Sequence, residues 1–177
     1  SLPIFFFPQF EIEKHVPGVN LWRDAYVNAH GGVAPPPVAI DTTYCNEDAG
    51  KAEEMANKYI AGYYLSVLDH YEFLEDYHRD TKGYETYSAA ADILKAAGKE
   101  QSLKDYVDVQ ATGTPQQILD KLDARRQVLG DFEWNMMLSY AGMPFEEVHK
   151  SMRLLGEKVL PEVKSWGMEP DTVASAG

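Results

Sequence analysis

Three short apolar segments of the sequence are each followed by a loop of polar, aromatic or small residues. Such strand-to-loop junctions are where α/β enzymes place their chemistry. The small Ala141-Gly142 pair would let a flat ring approach the backbone, and the side chains of Gln9 and Tyr44 can hydrogen-bond the edge of a bound molecule. Ordinary loop structure and core packing are the alternative for each position. The candidate cofactor-binding residues are Gln9, Thr43, Tyr44, Tyr140, Ala141, Gly142 and Met143.

Cys45 directly follows the second apolar segment and is the single cysteine of the chain. A thiol there could serve as a nucleophile, but no His–Asp pair lies near it in the sequence to activate it. A buried free thiol is therefore the favoured interpretation. Because one cysteine cannot form an internal disulfide, we also expect a reducing, cytoplasmic environment.

Two Glu-x-x-His patterns, Glu75/His78 and Glu146/His149, have the spacing that carboxylate-bridged di-iron proteins use on inward helix faces. In the last helix, however, the apolar stripe predicts that Glu146 and His149 lie beside or outside the buried face. With 28 acidic residues and 5 histidines, such pairs also arise by chance. We therefore predict no metal site, and a di-iron helical protein is only a weak third hypothesis.

Mainly apolar segments predict three strands, at 4–7, 38–44 and 132–138. The first is apolar at consecutive positions, which is typical of strands covered on both faces, as in parallel sheets. Between them, apolar residues at helical spacing predict helices. Their expected positions are 19–30, 46 to about 74, 84–97, 103–107, 115–130 and 145–160. The predicted fold class is α/β, with three parallel strands and a helical insertion over residues 46–110 before the last strand.

Helix signals are strongest at residues 113–117, where Thr114 is the expected N-cap, Pro115 the first helical residue and Gln117 the reciprocal capping residue. Asn46 is the expected cap of the long helix. The predicted buried stripe of the first helix is Leu21, Trp22, Ala25, Tyr26 and Ala29. That of the last helix is Phe145, Val148, Met152, Leu155 and Val159.

The net charge of −12 and the pI near 4.7 argue against two classes of partner. Nucleic acid needs a basic stripe on the protein, and anionic membrane surfaces attract basic segments. No apolar run approaches the roughly 20 residues that span a bilayer. A basic segment followed by an apolar one, which would indicate a signal peptide, is not found.

The sequence opens at Ser1, directly before the apolar segment 4–7, which leads us to expect a piece of a longer chain. Three strands are too few for a closed barrel, and each phenylalanine of that segment would forgo about 1.5–3 kcal/mol if left unpacked. We therefore expect partner surface, from a missing N-terminal half or from another copy in a homo-oligomer.

Several motifs occur in an order and at intervals that resemble one known family. They are 113–117 (GTPQQ), 140–144 (YAGMP) and 159–163 (VLPEV), with 46–49 (NEDA), 59–64 (YIAGYY), 70–72 (HYE) and 82–85 (KGYE) upstream. The set resembles the C-terminal end of the bacterial-luciferase-like flavin-dependent monooxygenases. This resemblance covers about residues 3–166.

The resemblance implies that the chain is the C-terminal part of a TIM-type (β/α)8 barrel. Most residues that bind the flavin in this family belong to earlier strands of the barrel, which this sequence does not contain. The family binds reduced FMN in the barrel mouth and oxidises a small organic substrate with O2. By family analogy a flavin reductase, which supplies the reduced flavin, is an expected partner. His70, Tyr71 and Tyr84 lie late in the insertion and could cap the substrate pocket, although helix–helix packing is their alternative role. The expected organisation is one partial barrel domain over 1–177: strand–helix–strand (1–45), insertion (46–110), helix–strand–helix (111–166) and tail (167–177). A non-catalytic remnant or assembly module that pairs through sheet edges is the alternative function.

Overall fold

The structure of the protein, a computed structural model, describes residues 3–72, 82–83 and 85–166. Its strands are β1 (Phe5–Phe6), β2 (Val38–Thr42) and β3 (Glu133–Met137). A short 3₁₀ helix (Ile12–Lys14) precedes the α-helices. These are α1 (Val16–His30), α2 (Ala49–Met55), α3 (Ala61–His70), α4 (Glu85–Ala97), α5 (Lys99–Val109), α6 (Pro115–Leu129), α7 (Phe145–Leu154) and α8 (Leu160–Ser165). Two π-helical segments, Ala56–Ile60 and Leu155–Val159, join α2 to α3 and α7 to α8 into continuous helices.

The three strands form one parallel sheet in the order β1-β2-β3. Phe5 pairs with Val38 on one side of β2, and Val38 pairs with Glu133 on the other. The helices α2 to α6 all lie between β2 and β3 in the sequence. The predicted α/β class, the parallel sheet and the helical insertion before the last strand are therefore confirmed.

One face of the sheet packs against α6 and the last helix. In the register, Ala39 lies beside Trp134 and Asp41 beside Met136, which places these four side chains on the same face. They meet a buried cluster from the helices and the segment that follows β2. Its members are Cys45, Ala111, Ile118, Leu122, Leu155 and Val159.

The insertion helices form a second core over the carboxyl ends of the strands. Tyr44, just beyond β2, and Tyr140, beyond β3, belong to this cluster together with apolar side chains of α2 to α5. Its centre is a nearly parallel ring stack of Tyr64 on Tyr106, with centroids 3.8 Å apart and planes 4° apart. The insertion is thus a packed cap on the sheet.

The other face of the sheet is largely uncovered in the part of the chain that the structure describes. Phe5 is 64% exposed and Phe7 is 43% exposed, while Glu133 and Asn135 of β3 are also exposed. The prediction that segment 4–7 is covered on both faces is therefore wrong within this chain. Both outer strands, β1 and β3, also have one edge with no described strand beside it.

Two predicted helix stripes differ from the structure. In α1 only Val19 is buried, and Leu21 is 72% exposed, because few described residues pack on that helix. In the last helix Phe145 is 74% exposed and Met152 is also exposed. The other predicted members of this stripe, Val148, Leu155 and Val159, are buried, and Ser151 is buried beside them.

Helix ends depart from the sequence predictions by a few residues. Asp48, whose side chain accepts from the Lys51 N–H at 2.7 Å, caps the long helix, while Asn46 bonds the Asp48 N–H from outside it. The break between α4 and α5 is the single residue Gly98, so α5 begins earlier than expected. The predicted capping box around Thr114 is confirmed in both directions.

Among the described residues, no helix combines the length and apolar character needed to cross a membrane.

His15 lies between β1 and α1, and its ring stacks on Phe6 with centroids 4.9 Å apart. Its Nε2 is buried and has no hydrogen-bond partner within the described ranges. Burial, with a further contribution from the Arg125 guanidinium, lowers the pKa of His15. Because the folded state prefers the neutral ring, its contribution to stability is complete above the unfolded pKa near 6.5 and is lost as the pH falls below it.

We therefore expect His15→Asn to reduce the loss of stability between pH 7.5 and pH 5. Urea unfolding midpoints at both pH values measure this difference. His30→Asn, at an exposed position at the end of the same helix, is the matched control and should keep the parent's pH dependence. Equal acid sensitivity in the parent and the His15 variant would contradict the prediction.

Candidate site at the carboxyl ends of the strands

Gln110 joins the ends of β1 and β2. Its side chain is fully buried; Nε2 donates to the Pro8 carbonyl at 2.6 Å, and Oε1 accepts from both the N–H and the hydroxyl of Thr42 at 3.0 Å. The carbonyl of Gln110 accepts from Lys121 Nζ at 2.8 Å. The returning end of the insertion thus fixes where the first two strand-end loops begin.

Segment 110–113 continues this arrangement alongside the end of β2. The Thr112 hydroxyl donates to the Tyr44 carbonyl at 2.8 Å, and the Gly113 N–H donates to the same carbonyl at 3.1 Å. Gly113 has φ +139°, and a Cβ there would lie 2.7 Å from Gln117 Oε1. The loop after β2 is therefore paired to the start of α6.

Thr43 and Tyr140 bring the loops after β2 and β3 together. The Tyr140 hydroxyl donates to the Thr43 carbonyl at 3.2 Å, and the Thr43 N–H donates to the Met137 carbonyl at 2.9 Å. Burial raises the pKa of Tyr140. The Thr43 hydroxyl is buried and has no hydrogen-bond partner among the described residues.

The Tyr44 hydroxyl is already engaged. It donates to Glu147 Oε2 at 2.7 Å and accepts from Asn46 Nδ2 at 3.1 Å. Burial and the hydrogen bond to Glu147 raise the pKa of Tyr44 to about 12. The hydrogen bonds from Tyr44 and Lys150 lower the pKa of Glu147. The phenol therefore stays protonated and links β2 to α7.

The loop after β3 turns sharply at Ala141 and Gly142, which have φ values of +51° and +71°. The Met143 N–H donates to the Tyr140 carbonyl at 3.0 Å, and positive φ at both central residues is typical of a type I′ turn. Ala141 and Gly142 are exposed, whereas Met143 is buried. Their backbone is open to an approaching molecule.

The structure brings five of the predicted cofactor residues close together at the ends of β2 and β3: Thr43, Tyr44, Tyr140, Ala141 and Gly142. Met143 packs into the adjacent core cluster. Gln9 is half-buried and follows Pro8, whose carbonyl Gln110 binds. Their role in binding stays a prediction.

Two of the three predicted substrate-pocket residues lie away from these strand ends, and the third lies outside the residues that the structure describes. His70 and Tyr71 are exposed and contact each other edge to face, with ring centroids 5.1 Å apart. They lie at the far end of the continuous helix, roughly 30 Å along its axis from Ala49. Tyr84, like the Glu75/His78 pair, lies outside the described residues.

A buried ion pair anchors the other face of the same strand ends. Arg125 of α6 binds Asp41 of β2 through two bonds, from Nη1 to Oδ2 at 2.6 Å and from Nη2 to Oδ1 at 2.8 Å. Asp41 also accepts from the Ala111 N–H and from Trp134 Nε1, both at 3.0 Å. Arg125 in turn donates to the Val109 carbonyl. The Asp41 carboxylate therefore links β2 to β3, to α6 and to the segment that carries Gln110.

Cys45 is fully buried, as favoured from the sequence, and burial raises the pKa of its thiol to about 12. A thiol that stays protonated is a poor nucleophile.

Glu146 and His149 are both exposed on α7, outside the buried face. Among the described residues, no three histidine, cysteine or acidic side chains are grouped as metal ligands would be.

Sequence reasoning missed Gln110, Asp41 and Arg125. A polar residue inside an apolar strand run, Asp41, was the available signal, because a buried carboxylate requires a partner. Nothing in the sequence near Gln110 or Arg125 indicates which strand each would meet.

Solved structures that are similar to the chain include three with TM-scores above 0.5. Monooxygenase RslO1 from Streptomyces bottropensis matches with a TM-score of 0.54 and 21% identity, covering 91% of this chain and 42% of its own. The oxygenating constituent of 3,6-diketocamphane monooxygenase from the CAM plasmid of Pseudomonas putida, a type II Baeyer-Villiger monooxygenase in complex with FMN, matches at 0.57 and 14%, covering 89% and 42%. Apo-MsnO8 matches at 0.52 and 17%, covering 89% and 44%.

The chain has the fold of the matched part of these proteins. It spans less than half of their length. At such low identity the likeness concerns the fold alone, which agrees with the α/β fold that the sequence resemblance implies. No protein-family model matches the sequence, and a search of the curated proteins finds no match.

Proposed function

We propose that the chain is the C-terminal portion of an FMN-dependent, luciferase-like monooxygenase built on a (β/α)8 barrel. The whole protein would oxidise a small organic substrate with O2 and reduced flavin, and the isolated chain would be inactive. The observation that carries the proposal is the fold likeness to two proteins described as monooxygenases, one in complex with FMN. The whole protein would be cytoplasmic and receive reduced flavin from a reductase.

The uncovered parts of the molecule support an incomplete barrel. The bare sheet face, with Phe5 and Phe7, would be the barrel interior that other strands close. At one side of the sheet, β1 has no described strand along its outer edge, and α1 exposes Leu21. At the opposite side, β3 has no described strand along its outer edge, and α7 exposes Phe145. Added strands and helices at both ends would bury these apolar side chains.

The residues at the strand ends fit one edge of a flavin. The exposed Ala141–Gly142 turn offers backbone that a planar ring can approach, and the buried Thr43 hydroxyl lacks a partner in the part of the chain that the structure describes. Tyr44 and Tyr140 have their hydroxyl groups bonded within the protein, so their role would be to shape the wall. When bound, reduced FMN supplies the oxygen chemistry. The residues of this chain would hold and orient it and exclude water.

The experiment compares the isolated chain with the complete polypeptide from the source cells, recovered through a C-terminal tag. We expect an intact mass more than twice that of this chain, because the matched proteins are that much longer. The complete protein should bind FMN and consume O2 with reduced FMN. The isolated chain should bind FMN at least tenfold more weakly. A source polypeptide of 177 residues that neither binds FMN nor consumes O2 would overturn the proposal.

The free sheet edges also favour the second candidate, a non-catalytic module that pairs with other chains. Sedimentation of the source polypeptide distinguishes the two. A 177-residue chain that assembles into oligomers without flavin binding supports the module. A longer polypeptide that binds FMN supports the monooxygenase, and within it His70, Tyr71 and Tyr84 remain the proposed substrate contacts.

A further inference from the structure

One flank of the last helix carries a row of exposed residues, the α7 stripe. Its members are Phe145, His149, Met152 and Gly156. They follow one another at intervals of four, three and four residues, which is the spacing of the contact seam between two paired helices. Phe145 is 74% exposed and Met152 is 48% exposed, while the Phe145 and His149 rings contact each other edge to face. In the described part of the chain the stripe is therefore open along its length.

The α7 stripe is complementary to a second copy of itself in an antiparallel orientation. A register that places Phe145 opposite Gly156 of the second copy also places His149 opposite Met152 of that copy, because the two pairs share one midpoint in the sequence. A Cβ at Gly156 would meet no atom within 4 Å, so there is open space at this position. The phenylalanine ring thus lies against the residue that leaves the most room for it.

The charges beside the stripe agree with the same register. Glu146 and Arg153 each follow a member of the stripe, so both lie on the same side of it; both are exposed, and neither has an ion-pair partner among the described residues. Glu146 would be offset from Arg153 of the second copy by about 3 Å along the helix axis, whereas the two Arg153 side chains would be offset by about 7.5 Å. Lys150, which pairs with Glu147, and Glu157 lie further round the helix and cancel in charge.

We propose that two copies of this chain form a symmetric dimer through antiparallel packing of their α7 helices. In such a dimer one patch serves both copies, and here it supplies the large ring and the gap as well as both signs of charge. The contact is made by helices and not by the free sheet edges. A helix added by a longer polypeptide would cover the same flank, so the dimer is proposed for the 177-residue chain and does not rest on the proposed monooxygenase function.

Sedimentation equilibrium of the full 177-residue chain tests the dimer. Because a short helix pair buries less than the roughly 1,200–2,000 Å² of stable interfaces, we expect a weak dimer with a Kd of about 100 μM. The average mass should therefore rise from 19.9 kDa toward twice that value between about 5 μM and about 500 μM protein. A mass that stays at 19.9 kDa would overturn the proposal and leave the stripe to an added helix of a longer polypeptide.

A charge swap tests the register. Glu146→Arg and Arg153→Glu each place like charges across the interface, and each should weaken dimerisation at least about fivefold. The variant with both changes restores two opposite pairs at the parent's net charge of −12, so its Kd should return to the parent's. Asp24→Arg, a matched exchange at an exposed position of α1, should dimerise like the parent. A double variant as weak as the single variants would overturn the proposal.

Gly156→Leu separates this fit from general apolar association. Leucine fills the gap opposite Phe145 and should weaken dimerisation at least about tenfold, although it favours the helix and adds apolar surface. Circular dichroism verifies that this variant and the charge variants are folded. Association of apolar patches without a defined register would be strengthened by the same change, and unchanged or tighter dimerisation of the Gly156 variant would overturn the proposal.

Discussion

Replacing Arg125 by methionine should destabilise the protein by about 3–5 kcal/mol, the cost of leaving one partner of a buried ion pair alone. Asp41 would remain fully buried, with only the Ala111 N–H and Trp134 Nε1 as donors. Since domains of this size have roughly 5–15 kcal/mol of stability, the variant should be close to unfolding. Urea denaturation followed by circular dichroism measures the effect.

A double-mutant cycle separates the ion pair from the packing of the side chains. Asp41→Asn removes the charge and keeps the shape, so Asp41→Asn/Arg125→Met should be destabilised by less than the sum of the single changes. Arg153→Met, at an exposed position of α7, is the control for losing an arginine and should change stability by less than about 0.5 kcal/mol. Additive effects across the cycle would contradict the assignment of the pair.

The fold could largely be predicted because its signals are local. Runs of apolar residues predict β1, β2 and β3, and the Thr114 capping box fixes the start of α6, as found. The buried faces of α1 and α7 could not be predicted in the same way. Which apolar side chains are covered depends on what packs against each helix, and Leu21 and Phe145 find no cover in the described part of the chain.

The candidate site was likewise predictable only in part. The loops after β2 and β3 could be predicted as neighbours, because parallel strands bring their carboxyl ends to one edge of a sheet. The residues that hold this edge in place could not. Gln110 lies 68 positions from Thr42 and 102 from Pro8 along the sequence, and only the packing of the insertion brings them together. Polar contacts between distant segments leave no periodic signal.

Gln110→Leu is therefore the variant that connects stability with the site. Leucine has a similar size but leaves the Pro8 carbonyl and the N–H and hydroxyl of Thr42 without their present partner. The Thr42 hydroxyl keeps its hydrogen bond with Tyr106, and the two groups left orphaned cost about 1–3 kcal/mol each, so we expect a total loss of roughly 2–6 kcal/mol. Urea denaturation of the chain measures this loss.

Gln110→Glu tests the donor half of the arrangement. At pH 7 the introduced carboxylate still accepts from Thr42 but faces the Pro8 carbonyl without a proton to donate, and burial disfavours its charge. Its folded pKa should therefore be raised, so that stability relative to the parent recovers as the pH falls and the group becomes protonated. A difference from the parent that does not change between pH 7.5 and pH 5 would contradict this geometry.

Leu155→Ala is the matched control, because it should reduce the stability by a similar amount without changing a contact at the strand ends. Leu155 is buried on the helix-covered face, and removing its side chain should cost about 2–5 kcal/mol. If Gln110 positions the loops after β1 and β2 for a cofactor, Gln110→Leu should weaken FMN binding by the complete protein at least tenfold, whereas Leu155→Ala should leave it nearly unchanged. Equal weakening in both variants would mean that Gln110 acts only through stability.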